Sequence, residues 1–77
     1  MELKIKKIMA SLFNINENEI SEKTAFNSVK KWDSLKHMEL IIALEKEFKI
    51  KFDSHEIPTM INFKIIAATV LSYLESK

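Results

Sequence analysis

Glycine is absent from all 77 residues, and proline occurs once, at Pro58. A chain without glycine lacks the residue that tight hairpins and phosphate-cradling loops depend on. What remains favourable is a set of helices joined by polar connections, with Asn, Ser and Thr supplying the turns and caps.

The apolar residues repeat as such a chain requires. Over 3–13, Ile5, Ile8, Met9 and Leu12 fall at i, i+3, i+4 and i+7, which predicts a first helix with one apolar stripe. Lys4, Lys6 and Lys7 lie off that stripe. Residues 14–33 carry no helical period, only isolated apolar anchors: Ile15, Ile20, Phe26, Val29 and Trp32. A connection this long in a small domain is often functional when its own side chains pin it down. Residues 34–49 give the clearest helix. Leu40, Ile41, Leu44 and Phe48 cluster on one side, together with His37, while Leu35, Met38 and Ile42 form a second strip roughly 120° away. That second strip is either core or an exposed apolar patch that marks a partner surface. Asp53 or Ser54 caps a short turn at 54–57, which Pro58 ends. Asn62 caps a last helix at 63–75, with Phe63, Ile66, Ala67, Val70 and Leu74 as its stripe. The expected fold is all-α: one domain, 1–77, built as a small bundle of three main helices plus one short helix, with a long loop between the first and second.

Composition removes several kinds of function. A chain this short buries only about 60% of its unfolded surface, which leaves little room for a deep catalytic cleft. There is no cysteine, so the protein itself offers no disulfide, thiolate metal site or thiol nucleophile. Thiol chemistry here has to arrive on a prosthetic group. The formal charge is +1 and there is no arginine, a poor match to a nucleic-acid reader, which concentrates basic charge and uses Arg on base edges. Nothing approaches a membrane span or a signal peptide, and a cytoplasmic location is the default.

The candidate sites are few. His37 and His55 are the only histidines and sit on different elements, without metal-ligand spacing, so no metal site is expected. His37, on the apolar side of its helix, reads as a core or rim histidine satisfied by a hydrogen bond. Asp33, Ser34 and His37 crowd one helix end and do not reproduce a nucleophile–base–orienter triad; no catalytic residue is expected. A helix-turn-helix DNA reader, or a small helical protein-interaction module, fits the length and helix count and stands as the alternative. Ser34 has two readings. Asp33 is an N-cap and Ser34 an ordinary first-turn residue, or else Ser34 is a hydroxyl whose phosphate ester would be held where a helix N-terminus attracts anions. One modifiable hydroxyl at a helix start, beside a helix with two apolar faces, is the anatomy of a carrier.

Over nearly its whole length the chain resembles the acyl carrier protein family and the related peptidyl carrier domains. The likeness rests on Asp33-Ser34-Leu35 followed by Met38-Glu39-Leu40-Ile41-Ile42-Ala43-Leu44-Glu45-Lys46-Glu47-Phe48, which looks like the family's second helix. Ile20-Ser21, Thr24 and Phe26 upstream, with Ile57-Pro58 and Met60-Ile61-Asn62-Phe63 downstream, sit where the family places its loop anchors and last helix.

The resemblance implies a non-enzymatic, monomeric carrier. Its cofactor would be 4′-phosphopantetheine, attached to Ser34 through a phosphodiester and flanked by Asp33 and Leu35, with acyl or aminoacyl cargo on the arm's thiol. It implies a phosphopantetheinyl transferase (holo-acyl-carrier-protein synthase) and acyl or aminoacyl ligases and transferases as partners. These would dock on the second helix around Leu35, Lys36, Met38, Glu39, Ile42 and Lys46. Lys36 and Lys46 stand where family members often carry acids, and Lys30 and Lys31 precede the motif. Steering by an acidic field is therefore expected to be weak. The stretch Trp32-Asp33-Ser34-Leu35-Lys36-His37 looks more like stand-alone carriers of specialised pathways than the acidic carrier of fatty acid synthesis.

Overall fold

The computed structural model describes residues 1–76. Its order is α1 (Glu2–Phe13), a 3-10 turn (Glu17–Glu19), α2 (Ser34–Phe48), a second 3-10 turn (Ile57–Thr59) and α3 (Phe63–Glu75). The three main helices match the periodicity to within a residue or two at each end, the usual uncertainty of helix termini. No strand forms among the described residues, only one isolated antiparallel bridge, Ala25 with Asn62. The short helix differs in position from the expected 54–57. Asp53 accepts the Glu56 N–H in a turn, and the 3-10 helix begins at Ile57 with Pro58 inside it. Proline suits that place, because the first turn of a helix has no use for its missing N–H.

Each helix buries one stripe. Ile5, Met9, Ala10 and Phe13 of α1 meet His37, Leu40, Ile41 and Leu44 of α2 and Phe63, Ile66, Ala67 and Val70 of α3 in one core. Ile8, Leu12, Phe48 and Leu74 pack against that core but are only partly buried.

The lack of glycine shows at two helix ends. α1 and α2 close on Asn14 and Lys49, both left-handed at φ 55°. The Ile15 N–H then reaches the Ala10 carbonyl (3.1 Å) and the Ile50 N–H the Glu45 carbonyl (3.2 Å), closing each end in the Schellman manner. Asn tolerates this backbone; Lys does so at a steric cost of about 1 kcal/mol.

The long loop is tied into the core by its own side chains. Ile20, Thr24 and Trp32 are buried, and Phe26, Val29 and Ile15 pack against the core. Its polar residues hold its turns. Glu19 takes the Asn16 N–H at 2.8 Å, Thr24 Oγ1 takes the Ser21 N–H at 2.8 Å, and Ser28 Oγ takes the Ala25 N–H at 2.9 Å. The bridge ties the loop to the entrance of α3: the Phe26 N–H donates to the Ile61 carbonyl (2.7 Å), and the Phe63 N–H to the Thr24 carbonyl (2.8 Å). Trp32, 2% exposed, stacks on Phe13 at 5.1 Å and on His37 at 5.9 Å, so the loop's end is clamped between α1 and α2.

Candidate functional site

Asp33 ends the loop and starts α2. Its backbone is extended, and its carboxylate accepts the Lys36 N–H at 2.8 Å. Such an N-cap bond is worth about 1 kcal/mol. Ser34 is then the first helical residue, and it is exposed. The N–H groups of a first turn have no carbonyl partner within the helix, so this end of α2 favours negative charge. Asp33 caps the helix, and the Ser34 hydroxyl stands at the end of α2 that favours an anion.

Ser34 also lines a groove of about 340 Å³. Three segments converge to make it. The loop supplies Phe26, the start of α2 supplies Ser34, His37 and Met38, and the segment before α3 supplies Ile57, Pro58 and Ile61. Apart from Ser34 and His37 its walls are apolar. The individual residues are readable in the sequence as anchors; their meeting at Ser34 depends on long-range packing that no local pattern encodes.

His37 is buried, as its place on the helix predicts. Its Nδ1 accepts the Trp32 indole N–H at 3.0 Å, and its Nε2 lies 2.9 Å from the Ile57 carbonyl. Since Nδ1 is an acceptor, the proton is assigned to Nε2, which donates to Ile57. Both nitrogens are engaged, so the ring has no free lone pair to act as a base on Ser34. Its work is to fasten the first turn of α2 to Trp32 on one side and to the second 3-10 turn on the other. Among the described residues no group of three or more His, Cys, Asp or Glu is arranged to hold a metal.

The second apolar strip of α2 is not core. Leu35 is 68% exposed, Met38 46% and Ile42 50%. At about 100° per residue, Lys46 falls within about 20° of Leu35 and extends the same face. Lys36 lies to one side of the strip, 3.5 Å from the Glu39 carboxylate. Leu35, Met38, Ile42 and Lys46 thus share one exposed face of α2, with the half-buried Lys36 and Glu39 beside it.

The family model for the phosphopantetheine attachment site matches residues 3–61. Polyketide-8 synthase acyl carrier protein 1 of Streptomyces avermitilis is 32% identical over 66 residues, which span 86% of this chain and 79% of that protein. The solution structure of holo acyl carrier protein from Geobacter metallireducens superposes with a TM-score of 0.84 at 32% identity, covering 95% of this chain and 84% of that one.

The residues present suit the family's prosthetic group. Its phosphate belongs at an exposed hydroxyl on a helix N-terminus, and Ser34 offers one. An apolar groove lined by Ser34 itself would lie beside the uncharged part of the arm. No protein thiol competes with the one the arm carries. When bound, the group supplies a thiol that holds cargo as a thioester, while the protein's own side chains perform no chemistry on that cargo. From the matched family, the similar carrier and the shared fold together, the chain belongs to the acyl carrier protein family: it is a phosphopantetheine-bearing carrier and not itself an enzyme.

Proposed function

We propose that Ser34 is the attachment point of the arm, framed by Asp33 and Leu35, and that residues 1–77 act as one carrier domain. The observation that carries this is the coincidence at one atom of three requirements: exposure, a helix N-terminus and the mouth of an apolar groove. Asp33 holds the first turn in place through the Lys36 N–H, which fixes the backbone that carries Ser34. Loading forms an Oγ–P bond on Ser34. The pyrophosphate linkage of coenzyme A breaks, the nucleotide part leaves, and the transferase takes the hydroxyl proton.

We further infer that the partners, a phosphopantetheinyl transferase and the ligases and transferases that charge and unload the thiol, dock on α2 at Leu35, Lys36, Met38, Glu39, Ile42 and Lys46. The cargo is acyl or aminoacyl and the pathway a specialised one. The Streptomyces relative, a polyketide synthase carrier, supports that assignment, as does a net charge of +1 in place of a strongly acidic surface. No helix among the described residues is long and apolar enough to cross a membrane, and a cytoplasmic monomer is the state we propose. Tethering raises the local concentration of cargo at each enzyme visited, which is what a small carrier contributes to a pathway.

The test is intact-protein mass spectrometry after incubation with a phosphopantetheinyl transferase and coenzyme A. The wild-type chain should gain one phosphopantetheine and Ser34→Ala should gain none. No gain by the wild type with several such transferases would sink the assignment.

A further inference from the structure

An enzyme that modifies Ser34 has no arm to reach along. The hydroxyl itself must enter its active site, so its surface must cover the residues around the start of α2. The charges presented there are unequal in their freedom. Every acid of α2 and its cap is engaged within the molecule. Asp33 holds the Lys36 N–H, Glu39 pairs with Lys36 at 3.5 Å, Glu45 takes the Phe52 N–H at 3.0 Å, and Glu47 pairs with Lys4 of α1 at 3.3 Å. Lys30 and Lys31, just before Ser34, are exposed and make no ion pair with any described residue, and the same holds for Lys46 and Lys49 at the far end of the strip. In the chain the apolar strip of Leu35, Met38 and Ile42 is thus preceded by the exposed Lys30 and Lys31 and followed by the exposed Lys46 and Lys49, while two of the acids on α2, Glu39 and Glu47, are neutralised in ion pairs.

Resting on the assignment of Ser34, we propose that the transferase which loads this carrier presents an apolar centre rimmed by carboxylates, with Lys30 and Lys31 meeting that rim at one end of α2 and Lys46 at the other. Leu35, Met38 and Ile42 fill the centre. The charge complementarity runs from a basic carrier to an acidic enzyme, and it acts mainly on the rate of encounter, so it weakens as salt screens it.

The experiment measures kcat/KM for loading of the full chain by the phosphopantetheinyl transferase of its own host, with coenzyme A, at low and high salt. The combined variant Lys30→Glu, Lys31→Glu, Lys46→Glu should lose on the order of tenfold at low salt, and most of the difference should vanish at high salt. Lys7→Glu, on the exposed side of α1, should load like the wild type. Circular dichroism and thermal unfolding separate misfolding from lost docking, and the corresponding Gln variants, which remove charge without reversing it, should fall between. Unchanged or faster loading of the Glu variant would overturn the proposal while leaving the attachment at Ser34 intact, because the mass gain would still occur. A rate for the wild type that rises with salt would overturn it too, since that is the signature of a basic enzyme surface. No loading of the wild type at all would overturn both.

Discussion

The loop at 14–33 and the outward face of α2 reverse the usual roles of irregular and regular structure. The loop has no repeating backbone, yet Ile20 and Trp32 are buried in the core alongside the helix residues. α2 is a regular helix with an apolar strip, yet that strip faces outward. The contrast shows that backbone regularity and burial are set by different things. The loop is ordered by side chains that cap its turns and by rings that enter the core. The helix is ordered by its other side, which leaves its second strip unused by the fold and available to an enzyme.

Substitutions can break this contrast. The largest effect belongs to Trp32→Ala, which empties the space between Phe13 and His37 and should cost about 3–5 kcal/mol in urea unfolding. A loss below about 1 kcal/mol would mean that the loop is not part of the core. Trp32→Phe keeps most of the ring but strips His37 Nδ1 of its donor, and should cost about 1–3 kcal/mol, partly as an unsatisfied buried nitrogen. In the opposite direction, Lys49→Gly relieves a left-handed lysine and should stabilise by up to about 1 kcal/mol. Asn14→Gly should give less, because Asn already tolerates that backbone. Ile42→Ala is the counterpart in the other region. It should change stability by no more than about 0.5 kcal/mol while lowering kcat/KM for loading; a loss of several kcal/mol would place Ile42 in the core.

The smallest effect is expected at alkaline pH. The Tyr73 hydroxyl donates to Glu56 and accepts the Asp53 N–H, joining α3 to the segment before the second 3-10 turn. The bond to the Glu56 carboxylate holds its pKa above the ordinary value of 10.0. A phenol whose pKa is raised on folding stabilises the fold fully below its unfolded pKa, and that contribution is lost as the pH climbs through the folded one. Stability should therefore decline slightly above pH 10, and Tyr73→Phe should remove that part of the decline.

Much of this was readable from residue order. The 3.6-residue stripes located all three main helices, and Asp33 and Asn62 were identifiable as caps because an Asx residue ahead of an apolar period satisfies a free N–H. Their bonds to Lys36 and Ile65 are present at 2.8 Å each. The loop anchors were legible as apolar residues in a polar stretch. Three features were not. Pro58 sits inside the second 3-10 turn instead of ending a turn at 54–57, because proline fits a first turn as readily as it stops one. Periodicity alone left the strip at Leu35, Met38 and Ile42 open, since it finds apolar faces without telling which of two is covered. The groove at Ser34 joins residues as far apart as Phe26 and Ile61, which the bridge between Ala25 and Asn62 holds side by side.

That bridge has a mechanical consequence. Two of the groove's three sides, the one carrying Phe26 and the one carrying Ile61, are riveted to each other by backbone hydrogen bonds on either side of Ala25 and Asn62. They cannot part without unzipping the entrance of α3. Toward α2 the groove is crossed by the hydrogen bond from His37 Nε2 to the Ile57 carbonyl. The groove beside Ser34 therefore has two walls that form one backbone-bonded unit and a third that α2 supplies. The imidazole at that crossing joins the backbone-bonded pair of segments to the first turn that carries Ser34.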